Sequence, residues 1–304
     1  MPEIELHTRV RIDALPFSLD YSTGIVSLGS CFSDEMGERL AESGFHVDSN
    51  PFGTLYNPAS IASALRRIMY DSEITVNDLV EHEGLWHSWH HHGSFSRPTP
   101  EECLDACNNR IHLAHQNLKQ ATLLMITFGT AWIFELPDRV VANCHKLPQQ
   151  MFHRRRMTVD DITALWRPLL EELHACYPTL HTLFTVSPIR HLGDGLHGNQ
   201  LSKSTLLLAI DELVDSELPK PRKKRGGKQL EAERPYTVYF PAYEVLLDEL
   251  RDYRFFGNDM AHPSTLGGEV VWDRFQRATM CPAVRDQAHF NHKQSRRDHH
   301  IPLH

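Results

Sequence analysis

The sequence predicts a three-layer, flavodoxin-like α/β fold: a doubly wound parallel sheet with helices on both faces. Three observations carry this. Continuously apolar runs of strand length recur at GIVSL (24–28), LLMITFG (123–129) and LHTLFTVS (180–187), the pattern of strands buried on both faces. Stretches with apolar residues three and four apart lie between them. Turn-forming residues punctuate the boundaries, so strand and helix alternate along the chain.

The elements follow in order. The strand over 24–28 ends at Gly29, and Ser33 to Ser43 form a helix stopped by Gly44. After the loop NPFGTLYNP (50–58), residues 59–70 carry a helical apolar face. Thr99-Pro100 opens a helix over 100–120, threonine as cap and proline in the first turn. The strand over 123–129 leads into WIFEL and VVANC, which read as a hairpin. Thr158 caps a helix to about Ala175, the strand 180–187 follows, and SPIRHLGDG leaves it. Residues 201–217 are helical, YTVYF (236–240) is a short strand, and Glu244 to Arg251 is a helix. Pro263 opens the last helix, to about Ala278. Residues 1–281 thus form one domain, and 282–304, without periodicity, form a flexible C-terminal tail. The basic run PKPRKKRGGKQ (219–229) lies between acidic stretches that nearly neutralise it, so it reads as a solvated loop rather than an anion-binding patch.

Composition narrows the partners. With 31 basic and 39 acidic residues the net charge is −8, which excludes nucleic-acid binding driven by overall charge. No stretch approaches the roughly 18–20 apolar residues that span a bilayer, and the first residues lack the apolar core of a secretory signal. Six cysteines at irregular spacings give no disulfide framework and fit a reducing compartment. The expectation is a cytoplasmic protein with a small-molecule partner, no nucleic acid, no membrane and no cofactor, its oligomeric state left open.

Two segments could carry chemistry. In VSLGSCFSDEMGERL a strand ends, Gly29 turns the chain and Ser30 stands before a helix. That arrangement exposes a nucleophilic oxygen at the sheet edge and aims helical N–H groups at a developing oxyanion. Ser30 equally fits an ordinary helix cap. Cys31 is a rival nucleophile, ranked lower because the residue after the turn is expected to point into the core. Near the C-terminus, Asp259 and His262 stand three apart. There the carboxylate can hold the imidazole Nδ1–H and leave Nε2 to accept a proton. A solvated loop histidine beside a capping aspartate is the plainer alternative.

G-S-C-F followed far downstream by D-x-x-H-P resembles the GSCFA family of the SGNH hydrolase clan. NPFGTLYNP, HSWHHHGSFS, TFGTAWIFE, VANCHK, SPIRHLGDGLHGNQLSKSTLL and YFPAYEVLLDELRDYRFF resemble further blocks of that family, in order, over roughly residues 5 to 280. The resemblance implies a serine-dependent esterase acting on short acyl esters, carbohydrate esters among them. Ser30 would be nucleophile, His262 general base and Asp259 its orienting acid, with backbone N–H groups of Ser30 and Gly53 in the oxyanion hole. The clan's third block ends G-x-N, but Gly129-Thr130-Ala131 stands here, so the usual asparagine donor is missing and Asn143 is the candidate substitute. An O-acyltransferase, or a ligand-binding protein that kept the fold, are the other readings.

The chain has 21 histidines. His87, His90, His91 and His92, interleaved with Trp86 and Trp89, suit a substrate groove in which flat rings pack on sugar faces, with Trp89 and His91 as contacts. His112 and His115, one helical turn apart, could join them around a metal ion, but no carboxylate or thiolate set accompanies them. Arg190 and His191, in the strand-exit loop, are expected at the same sheet edge, Arg190 either on an anionic part of the substrate or paired with Asp194.

Overall fold

The first apolar run forms strand β1 (Gly24–Gly29), followed directly by helix α1 (Cys31–Glu42). The chain continues through β2 (His46–Ser49), α2 (Pro58–Tyr70), the hairpin β3 (Leu79–His82) and β4 (Leu85–Ser88), and α3 (Pro100–Gln120). Then come β5 (Leu123–Phe128), the short strands β6 (Trp132–Leu136), β7 (Arg139–Val141) and β8 (His153–Arg156), α4 (Val159–Cys176) and β9 (His181–Val186). Helix α5 (Gly195–Leu213), β10 (Thr237–Tyr239), the short α6 (Ala242–Glu244), α7 (Thr265–Thr279) and α8 (Pro282–Asp298) complete the chain. The computed structural model describes residues 8–215 and 235–298, and the basic run 219–229 lies outside them.

Five strands pair in parallel in the order β10-β9-β5-β1-β2, which in chain order is the flavodoxin-like arrangement 2-1-3-4-5. The predicted fold class is therefore found. Successive side chains of a strand point to opposite faces, and the apolar runs use both. Val26, Leu28, Leu124, Ile126, Phe128, Phe184 and Val186 pack against α2, α3, α4 and α5. Their neighbours Ile25, Leu123, Met125, Leu183 and Val238 pack against α1 and α7. The connection from β1 to β2 leaves one way and β5 lies on the other side, so the crevice outside the carboxyl ends of β1 and β5 is the switch point where ligands bind in such sheets.

Several boundaries differ from expectation, each for a local reason. The helix expected to open at Pro263 starts at Thr265, because Ser264 accepts a hydrogen bond from Gly267 N–H and caps it; Pro263 stays outside. The expected hairpin is three-stranded, β7-β6-β8, since Arg156 to His153 pair along β6. The expected tail is a helix over 282–298. Ala288 is fully buried in the second core, and Asn291 Nδ2 donates to Ser43 O at 2.9 Å, so contact with α1 holds a segment with too few apolar residues to announce itself.

Candidate active site

Gly29 closes β1 at φ 152°, a backbone region costly for any residue with a Cβ, and a Cβ there would lie 2.3 Å from Thr127 O. Only glycine lets β1 end this close to β5. Ser30 then takes an extended conformation (φ −71°, ψ 177°) as the N-terminal cap residue of α1, but its side chain caps nothing. Its Oγ is buried without a hydrogen-bond partner, and its N–H donates to Thr127 O at 3.3 Å. Cys31, the first residue of the helix, is half-buried and faces a cavity of about 640 Å³. Cys31 thus packs against the core on the α1 side of the sheet, as expected, and also lines the cavity, as does Ser30.

The opposite wall carries His262. Its Nε2 stands 3.9 Å from Cys31 Sγ, and its Nδ1 bonds Asp259 Oδ2 at 2.5 Å. Asp259 Oδ1 accepts the N–H groups of Ala261 and His262, both at 3.0 Å. Those two backbone donors, and then the imidazole, hold the Asp259 carboxyl well below the usual carboxylate range. An ionised Asp259 accepts a hydrogen bond from Nδ1–H, which leaves Nε2 as the acceptor facing the thiol. Burial pushes the Cys31 thiol up, opposed by the first-turn backbone N–H groups of Cys31 and Phe32. The resting sulfur is therefore a thiol that needs a base.

The loops after β5 and β9 form the floor. Gly129 and Thr130 both donate N–H to Tyr56 O, at 2.8 and 2.9 Å. Close packing explains the glycine: a Cβ on Gly129 would meet Tyr56 O at 3.1 Å, Ser30 Cβ at 3.3 Å and His191 Nε2 at 3.4 Å. His191 lines the cavity with its Nε2 buried and unpartnered, and burial and the Lys203 charge push its pKa down to about 4, so the ring is neutral at pH 7. Helix α5 supports this floor from below: Asn199 Oδ1 accepts His191 N–H at 3.0 Å, and Ser202 Oγ accepts Ala131 N–H at 2.8 Å.

The other expected residues divide. Asn143 lines the cavity, and because its Oδ1 accepts His145 N–H at 2.9 Å its amide N–H groups remain available to a ligand. Arg190 also lines it, but stacks 4.2 Å over Phe256 and donates from its backbone to Ala261 O and from its side chain to Met260 O. It thereby steadies the His262 loop; Asp194 pairs with Arg154 instead. Gly53 is not an oxyanion donor, since its N–H is spent on Asn50 O at 2.7 Å in a turn (φ 71°), and Thr54 is the neighbour that reaches the cavity. Trp89 and His91 are core residues. Trp89 packs with Val141 and Phe152, and His91 lies fully buried on the Phe52 ring with centroids 4.2 Å apart. His92 is the histidine of that run that reaches the cavity. His112 and His115 turn away, bonding Asp71 and Ile68 O.

A family model described as the GSCFA family matches residues 24–275. The chain belongs to the GSCFA family. The match begins with β1 and ends within α7, so the GSCFA region contains Cys31, both floor loops and the His262 loop. A search of curated proteins finds no match to the chain.

Sequence reasoning passed over three residues of this GSCFA site. Arg154, from β8, lies 4.2 Å over Trp132 and pairs with Asp194 across the cavity mouth; in the sequence it is one of three consecutive arginines with nothing to single it out. Trp132 lay in a strand already read as apolar. Lys203 is almost completely buried beneath Gly129, and a lysine at a core position of the LSKSTLL helix was a signal that could have been noticed.

Proposed function

We propose that this GSCFA protein is an acyl-ester hydrolase that works through Cys31, His262 and Asp259. The observation that carries the reading is the approach of His262 Nε2 to Cys31 Sγ, 3.9 Å, with Nδ1 already bound to Asp259. Nucleophile, base and orienting acid thus stand in series across the cavity, somewhat loose as unliganded sites are. The cavity, at about 640 Å³, has the size of a small-molecule site, with Asn143, His92 and Arg154 as polar groups around it.

In the proposed reaction Cys31 Sγ attacks the substrate carbonyl carbon and its proton passes to His262 Nε2. The helix N-terminus beneath the sulfur and the Asn143 amide stabilise the oxyanion. Collapse breaks the carbon–oxygen bond, and the leaving alcohol takes the proton from His262. Water then gives a proton to His262 and attacks the thioester, releasing the acid and restoring the thiol. An acceptor hydroxyl in place of water gives acyl transfer by the same steps.

A second reading keeps Ser30 as nucleophile, because its Oγ is buried at the same turn with no partner. The two separate in one experiment: hydrolysis of short-chain acyl esters by the parent, Cys31→Ala, Ser30→Ala and His262→Ala, with mapping of the residue labelled by iodoacetamide and by a fluorophosphonate. Loss of at least a thousandfold in kcat for Cys31→Ala and His262→Ala, with Ser30→Ala retaining turnover, is expected. Full activity of Cys31→Ala with loss in Ser30→Ala assigns the serine. Absence of turnover and of labelling at either residue leaves a ligand-binding protein on this fold.

A further inference from the structure

Helix α5 carries a lysine that the reaction above does not use. Lys203 is 1% exposed, and its Nζ donates to Gly129 O and to Ser187 O, each at 2.7 Å. Gly129 follows β5, and Ser187 follows β9. One nitrogen therefore joins the two loops that make the floor of the cavity. Tyr243 from α6 lies 5.8 Å away by its ring centroid, and among the described residues no carboxylate pairs with the amine. A buried, unpaired cation is costly, and an apolar side chain of the same length would fill the space without that cost. It would also leave two buried carbonyl oxygens without a donor. The lysine thus does something a packing residue would not.

What it does follows from its neighbours. The Gly129 segment touches Ser30 and His191, and Ser187 leads into Arg190, which steadies the His262 loop. Fixing these two carbonyls fixes the distance between nucleophile turn and base. The charge matters too, because a cation under the site favours a thiolate on Cys31 and opposes a proton on His191. We propose that Lys203 is the positioning residue of this site, tying the β5 and β9 loops together and presenting its charge beneath Cys31. The titratable groups around it are Cys31 from α1, His191 from the β9 loop and Tyr243 from α6. Burial pushes the amine down to about 7, so its charge is lost as pH rises through neutrality. The tie survives that change, since a neutral amine still has two N–H groups for two carbonyls.

The inference rests on the thiol reading above, and the test separates them. The rate of iodoacetamide alkylation of Cys31 is followed from pH 5 to 10 in the parent and in Lys203→Met, beside kcat, KM and melting temperature. In the parent, alkylation is expected to show an inflection near neutrality besides that of the thiol itself. In Lys203→Met that inflection disappears and kcat falls at least tenfold, with KM changed less than threefold. A folded Lys203→Met with the parent's kcat and alkylation profile overturns the inference while leaving Cys31 as nucleophile. If Lys203→Met does not fold, Lys203→Gln is judged by the same criteria, and if neither folds, a parent profile with a single inflection overturns it. If Cys31 in the parent alkylates no faster than a free thiol and Cys31→Ala turns over ester, the thiol reading itself has failed.

Discussion

Gly129 shows how finely single residues are fitted at the cavity floor. An added methyl would be pressed to 3.1 Å from Tyr56 O, 3.3 Å from Ser30 Cβ and 3.4 Å from His191 Nε2, contacts that neighbours can relieve by shifting a few tenths of an ångström. Gly129→Ala is therefore expected to fold with a melting temperature within about 3 °C of the parent. Its kcat/KM for acyl esters should fall about tenfold, since sub-ångström misplacement of reacting groups is costly in rate. Unchanged kinetics would mean that the floor does not bear on the nucleophile turn. The same scale shows what the sequence leaves open. A turning glycine brings the side chains after it to the sheet edge but does not say which of them meets the imidazole. Here Gly29 runs at φ 152° against Thr127, and both Ser30, extended and buried, and Cys31, the first helical residue, line the cavity. The sequence contains no sign of that dihedral beyond the glycine itself.

At the scale of elements, readability followed length and capping. Helix α3 was predicted to the residue because Thr99 and Pro100 mark its start and its apolar spacing runs five turns. The four-residue strands β2, β3 and β4 are too short and too polar for an alternation to show. Helix α8 was missed because its mean hydropathy is that of a solvated segment, while its holding contacts belong to α1. Besides Asn291, His292 Nδ1 pairs with Glu42 Oε2 at 3.0 Å. Removal of everything after Cys281 is accordingly expected to lower the melting temperature by roughly 4 °C or more, about 2.5 kcal/mol in a chain of this size. An unaltered thermal transition in the shortened chain would show that the helix is a passive appendage.

Across the whole molecule, burial of histidines sets the response to acid. Burial pushes His145, His181 and His191 down to about 4 each, and His91 well below its ordinary value of 6.5. An unfolded chain binds these protons from about pH 6.5 downward while the folded chain refuses them until about 4, so stability is lost as pH falls through that window. The depressed carboxylates Asp78 and Asp259 act in the same direction at still lower pH. Thermal melts at pH 7, 5.5 and 4 should thus show a steadily falling midpoint, and a flat profile would contradict the burial of these rings. The parallel order of the sheet was predictable because apolar runs buried on both faces leave few alternatives. The cavity was less so, because its walls come from loops whose approach depends on tertiary packing.

Those walls also come from segments far apart in sequence: Cys31 stands just after β1, and His262 just before α7. During synthesis the Cys31 turn leaves the ribosome well before the His262 loop that faces it. A nascent or truncated chain that stops short of the His262 loop thus lacks the imidazole that faces Cys31 Sγ. The proposed activity thus requires synthesis to pass the His262 loop, and translation products aborted before it would be silent rather than stray hydrolases.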